Sequence, residues 1–378
     1  MIGWWRPMHD CLIVGAGAIG LSLAYELACT GWSVRVVERG EPGRESSWAG
    51  AGIFPPANQA TAVHPLDQLR GLSHRLHIDW STRLREETGI DNEYQRCGGL
   101  YLARDLGEAA TLRAFAKEMR ELQIEVREVP LTELANLEPA LRDVSESGRL
   151  RSAWLLPDEV QLRNPRHLQA LLAACRQRGV DIEGQTEVVD FPYEAGQLQG
   201  VQTNRGLLTA KRYCLTSGAW TYGLLKRLGI ETGIFPVRGQ IVLFHTERPI
   251  LHHVISEGSR YLVPRRDGRL LVGSTEEEAG YDKRTTEAAI ADLTDFAWGL
   301  VPALQTAAVE QTWAGLRPAT FDGFPYLGRI PGLNNAYVAA GHFRSGLHLS
   351  TGTAVVMRQL MCGEQPEIDL SPFRVGRG

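Results

Sequence analysis

Two groups of residues have the types and spacing to do chemistry. The first is Gly15-Ala16-Gly17-Ala18-Ile19-Gly20, which fits GxGxxG between an apolar run at 11–15 and a helically spaced segment at 18–29. Gly15 permits a tight turn, Gly17 lets a pyrophosphate approach the backbone, and Gly20 allows helix to pack closely on strand. The helix N-terminus offers free N–H groups and a favourable dipole to phosphates. Glu38 ends a second strand (33–38), 18 residues past Gly20, where a carboxylate accepts from ribose hydroxyls and repels a 2′-phosphate. This pattern disfavours NADP and does not separate FAD from NAD. The plainer alternative is a structural glycine turn with a solvated Glu38; strand, turn, helix and acid in succession speak against it.

The second group surrounds Arg317. It lies in Gly315-Leu316-Arg317-Pro318, among apolar residues and before a proline that holds it extended. An arginine there needs a partner. Its planar fork suits bidentate capture of a substrate carboxylate, and a salt bridge to Asp322 is the structural alternative. Tyr261 opens the strand Tyr261-Leu262-Val263-Pro264, where a tyrosine serves packing or a site. Ala49-Gly50-Ala51-Gly52 is small enough for a flat ring to lie against its backbone. Gly341-His342-Phe343-Arg344-Ser345-Gly346 precedes a final helix whose N-terminus is either an ordinary cap or a stabiliser of negative charge.

The elements that must position these groups are legible in outline. Residues 11–15, 18–29 and 33–38 form a βαβ unit. Helical patterns cover 72–87, 109–122, 285–300 and about 346–361, and a helix at 164–178 takes Asn164 as N-cap with Pro165 first. Short strands are expected at 98–103, 180–182, 187–191, 198–203 and 212–215. Residues 240–245, 260–263 and 269–273 alternate like antiparallel strands, the last two flanking the turn signal Asp267-Gly268. After Trp313 the chain reads as glycine-rich and irregular until the final helix.

At 378 residues and 43% hydrophobic, the chain exceeds one ordinary domain, and its net charge of -4 with no basic run argues against nucleic acid. Its six scattered cysteines have no CxxC pair or metal-ligand spacing, so no metal site is expected. No stretch has the length of a signal core or membrane span, so a cytoplasmic protein is expected. Residues 1–7 read as a disordered leader, and neither a monomer nor a homo-oligomer is singled out.

Arg44-Glu45-Ser46-Ser47-Trp48-Ala49-Gly50-Ala51-Gly52-Ile53-Phe54-Pro55-Pro56 resembles the segment beside the flavin phosphates and ring in the D-amino-acid oxidase and glycine oxidase family. Cys214-Leu215-Thr216-Ser217-Gly218-Ala219-Trp220 is similar to that family's second strand-to-helix flavin contact, and Pro236-Val237-Arg238-Gly239-Gln240 to its domain crossover. Residues 313–328 and 339–352 resemble its substrate and C-terminal flavin segments. The likeness spans nearly the whole chain and is closest to the bacterial glycine oxidase branch, which serves thiamine biosynthesis.

The resemblance implies FAD, contacted by the opening turn, Glu38, Arg39, Ser46, Ser47, residues 49–52, Val188, Ser217, Gly218, Trp220, and the run from Gly341 through His342, Phe343, Arg344, Ser345 and Gly346 to Leu347. Val188 alone reads equally as core. The resemblance also makes Arg317 the carboxylate anchor, with Tyr261 assisting and Arg344 near flavin and substrate; a phosphate or surface role is the alternative for Arg344. The FAD is expected to be non-covalent, since residues 313–329 lack the cysteine of covalent-flavin relatives. Gly273-Ser274-Thr275-Glu276-Glu277-Glu278 departs from the family, being acidic where some members are apolar; Glu276 either narrows the pocket, favours a polar or cationic side chain on the substrate, or faces water as a solvated strand end.

The expected fold is α/β, with a doubly wound FAD domain (8–88, 148–222, 311–378) interleaved with a mostly antiparallel substrate domain (89–147, 223–310). The expected reaction is hydride transfer from a small amino acid or amine to FAD, with oxygen as acceptor. The rivals are a dehydrogenase of the same fold feeding a quinone or carrier, and a non-catalytic dinucleotide-binding protein.

Overall fold

The computed structural model describes residues 8–377, so the leader expected at 1–7 lies outside the described residues. His9–Val14 runs from two half-buried residues into four buried ones, as a strand covered on both faces must. It pairs in parallel with Val34–Val37 on one side and Ala210–Leu215 on the other. Asp181–Glu183 and Ala336–Ala340 extend this parallel sheet, and Tyr326–Arg329 closes one edge antiparallel, making six strands. Ala18–Cys29, Pro65–Thr88, Asn164–Gln177 and Ser350–Cys362 supply Leu21, Leu72, Leu171 and Met357 to the core over one face. Each such side chain contributes about 2 kcal/mol by leaving water.

A second sheet has eight strands: Ala308–Ala319, Phe235–His245, Arg269–Gly273, Arg260–Pro264, Val254–Glu257, Gly99–Ala103, Ser152–Leu156 and Arg127–Glu128. Only the Val254–Glu257 and Gly99–Ala103 pair is parallel. Glu287–Leu300 buries Leu293, Ala297 and Leu300 against one face, and the other face looks onto a cavity. The described architecture is the two-part α/β fold that the sequence implies. Among the described residues no helix is long and apolar enough to cross a membrane.

Four readings are corrected. The stretch after Trp313 is no irregular coil: Ala308–Ala319 is a strand paired along the whole of Phe235–His245. Its Pro318 is tolerated because the strand is at the sheet edge, and Gly315 because Ala49 packs against it. The long helix starts at Pro65, not 72, with Pro in its first turn. The last helix starts at Ser350; residues 343–345 are a separate 3-10 turn. Asn164 is the first helical residue rather than the cap, and its amide donates instead to Ser47 O at 2.8 Å. Sheet membership also bears on the domain edges: Ser152–Leu156 and Ala308–Ala319 belong to the larger sheet, and we propose a division that moves these two strands there.

Candidate active site

The cradle begins at the end of the first strand. Gly15 has φ +111°, and a Cβ there would lie 2.7 Å from Thr216 O, so the turn accepts only glycine. A Cβ on Gly20 would fall on Gly15 O, which explains the close helix–strand approach. Glu38 accepts Ala16 N–H and Gly40 N–H, both at 2.9 Å, fixing its carboxylate beside the turn. Ser47 Oγ accepts Ala18 N–H at 2.9 Å, so the short helix Ser46–Ala49 meets the opening helix at its N-terminus. On the outer side the Arg39 guanidinium lies 4.4 Å over the Trp220 ring, which stacks on Tyr281.

From this cradle a cavity of about 650 Å³ runs to the eight-stranded sheet, a size ordinary for a small-molecule site. Strand pairing decides which side chains face it, because partners directly across a sheet share a face and neighbours along a strand alternate. Tyr101, Ser256, Tyr261, Gly273 and Ile241 form one row across five strands. Arg317 and Gly315 lie on the same face of the edge strand, Gly315 directly opposite Gly239.

The two glycines in this patch act as slots. A Cβ on Gly239 would overlap the Arg317 guanidinium, and one on Gly273 would lie 2.7 Å from the Tyr261 phenol. Arg317 Nη2 donates to Ser274 Oγ at 2.6 Å and Nη1 to Thr275 O at 3.0 Å, both neutral acceptors. Among the described residues it has no ion-pair partner; Asp322, the structural alternative, pairs with Arg377 at 2.8 Å. Burial lowers the Arg317 pKa, with Tyr261 and Glu276 opposing the shift and Arg344 adding to it. By contrast Arg238, buried on the same sheet, is held by Glu277 and Asp282. A buried guanidinium with donors to spare and no acid of its own within ion-pair distance, the nearby Glu276 being paired with Arg344, is poised for a carboxylate from outside.

Glu276 pairs with Arg344 at 2.7 Å, while Arg344 Nη2 reaches Ser259 O at 3.3 Å, tying the turn near the final helix to the sheet's loops. Phe343 beside it has φ +47°, which costs a non-glycine residue on the order of 1 kcal/mol. His342 is buried against Thr353 Oγ1, and burial pushes its pKa down to about 3, so it stays neutral.

Most residues expected at the site line this one cavity. Ala16, Gly20 and Gly341 do not: Ala16 contributes its N–H to Glu38, Gly20 packs on the strand, and Gly341 (φ +88°) packs against Thr320. Val188 is both core and cavity wall. The first turn of the last helix, from Ser350, does not line the cavity, and its Gly352 N–H donates to Ser73 Oγ at 3.2 Å; the turn before it, with Leu347 and His348, forms the wall instead. Sequence reasoning missed Tyr101, Asn164, Gly239, Ser256 and Gly273. Only the strand register across distant segments would have singled out the two glycines.

The sequence matches the family described as DAO, FAD dependent oxidoreductase, over residues 10–360. It is 36% identical to the glycine oxidase of Pseudomonas aeruginosa over 363 residues, covering 96% of this chain and 97% of that protein. The fold matches the crystal structure of glycine oxidase from Geobacillus kaustophilus with TM-score 0.92 at 31% identity, covering 98% of this chain and 99% of that one. It also matches an iminodiacetate oxidase from a Chelativorans species with TM-score 0.87 at 27% identity, covering 97% and 98%.

Proposed function

Since the chain belongs to the FAD dependent oxidoreductase family, we propose that it oxidises glycine or another small amino acid or amine bearing a free carboxylate, with oxygen as the final acceptor. The observation that carries this reading is Arg317, a guanidinium with neutral partners only, set in a glycine slot beside Tyr261 at the far end of a dinucleotide cradle. Similar proteins are named for the oxidation of glycine and of iminodiacetate, both short amino carboxylates, which supports this reading.

The residues present fit FAD. The bare backbone at Gly15 and Gly17 and the fixed Glu38 carboxylate suit a diphosphate and a ribose, and Arg39, Val188 and Trp220, which line the same cavity, would hold the rest of the nucleotide. Residues 49–52 and 342–347 would border the ring. Bound FAD supplies the two-electron, hydride-accepting chemistry that no side chain here provides.

The chain's own work is orientation. The Arg317 donors not used by Ser274 and Thr275, together with the Tyr261 hydroxyl, hold the substrate carboxylate at two points and so fix the direction of its Cα–H bond. His342 and His348 are neutral through burial and add no charge that would expel an ammonium. The imine formed hydrolyses in water, so glycine, oxygen and water would give glyoxylate, ammonia and hydrogen peroxide.

The test is an aerobic panel of glycine, sarcosine, D-alanine, D-proline and ethylamine with peroxide measured per substrate consumed. Turnover of the carboxylates with one peroxide each, and little of ethylamine, is expected. Equal turnover of ethylamine would refute the carboxylate anchor, and absent peroxide would refute oxygen as acceptor.

A further inference from the structure

Arg265 follows the strand that carries Tyr261, with a guanidinium that reaches the opposite half of the molecule. It is 5% exposed. Nη1 donates to Gln161 Oε1 at 2.9 Å and Leu162 O at 3.0 Å, and Nη2 to Ala51 O at 2.7 Å. Nε has no partner. All the acceptors are neutral, and among the described residues no carboxylate lies within ion-pair distance: Glu93 and Asp267 act on it only from farther off and are themselves paired with Arg163, whose charge opposes it. Burial lowers its pKa only to about 10, so it is charged at neutral pH. A buried charge without a counter-ion is costly, and Arg238 on the same sheet shows the usual remedy, two acids.

The acceptors identify what this charge stands behind. Gln161 pairs with Ile53 in a small sheet, and Leu162 N–H donates to Gly52 O at 2.9 Å. Arg265 therefore clamps residues 51–53 from the rear while Ala51 and Gly52 line the cavity. We infer that Arg265 is a positioning residue for the ring-facing segment and that its charge, which no acid pairs directly, favours the reduced over the oxidised cofactor. The inference rests on the reading that this segment borders FAD. Two-electron reduction adds negative charge to the ring, and the guanidinium then gains the counter-charge it otherwise lacks.

Two holoenzyme variants separate charge from geometry, each read by FAD dissociation constant and two-electron midpoint potential. Gln161→Glu keeps an acceptor oxygen on Nη1 and neutralises the charge in place. FAD affinity should stay within threefold of wild type while the preference for reduced flavin falls at least tenfold, about 30 mV in the midpoint. Arg265→Lys keeps the charge and loses the fork, so FAD binding should weaken about tenfold while the midpoint holds. Either variant decides if the other does not fold. An unchanged midpoint in yellow Gln161→Glu, or a tenfold loss of that preference in Arg265→Lys, overturns the inference and leaves the FAD site standing. A wild-type protein that takes up no flavin overturns the parent reading and this inference with it.

Discussion

Gly239→Ala adds one methyl group where the Arg317 guanidinium rests. Its Cβ would overlap Nη1, Nη2 and Cζ, and restoring an ordinary contact of about 3.5 Å moves the guanidinium on the order of 1 Å. Gly239 does not have a positive φ, so alanine is acceptable to the backbone, and the displaced group is the end of a flexible side chain. The fold should survive and the aim of the site should not. A misplacement of about 1 Å typically costs about a hundredfold in rate, or about 2.7 kcal/mol of transition-state stabilisation. The assay is kcat/KM for glycine, with FAD content read by absorbance and folding by thermal melt. We expect kcat/KM to fall about a hundredfold at full FAD occupancy and nearly unchanged Tm. A value within threefold of wild type at full occupancy would show that the substrate is not oriented by the Arg317 guanidinium.

Arg317→Met removes two charge-assisted hydrogen bonds to a carboxylate, each contributing about 1.5–3 kcal/mol, so kcat/KM for glycine should fall by about two to four orders of magnitude. The flavin bands should remain, because Arg317 contacts Ser274 and Thr275 rather than the cradle; glycine turnover at the wild-type level would refute the anchor. Gly20→Ala drives a Cβ onto Gly15 O and should yield protein with little bound FAD, checked by the absorbance ratio after purification. Burial holds the pKa of His77 and His342 near 3 and that of His167 near 4. The unfolded chain takes up these protons near pH 6.5, so the stability is whole above that pH and drains as the pH falls toward 4 for His167 and toward 3 for His77 and His342, by on the order of 2 kcal/mol per histidine at pH 5. The urea midpoint should therefore be lower at pH 5 than at pH 7.5, and equal midpoints would contradict this.

The parts of the site that were legible in the sequence are local. Gly15, Gly17, Gly20 and Glu38 fall within one βαβ unit, where spacing alone sets geometry, and the structure joins Glu38 to Ala16 as that spacing requires. The flavin segment at residues 49–52 and the roles of Tyr261 and Arg317 came from likeness to a family; the residues alone left packing and a salt bridge open. What was not legible depends on long-range register. Glycine at 239 lies just before the strand expected at 240–245 and has no visible role until pairing sets it opposite Gly315, beside a guanidinium from the edge strand. The glycine and proline around Arg317 suggested irregular chain, yet an edge strand accepts a proline and a neighbouring Ala49 fills the space over Gly315. Asn164 looked like a cap because its type suits one, but its amide instead fixes the carbonyl of Ser47. Arg265 carried no local signal, since its partners come from two other segments.

The most direct test is an anaerobic titration of the purified, FAD-loaded protein with glycine and other small amino acids, followed at the flavin absorbance bands. The account predicts complete bleaching by at least one amino carboxylate in the wild type and its loss in Arg317→Met at the same concentration. Flavin that stays oxidised with every amino carboxylate, or that bleaches equally in both proteins, would contradict it.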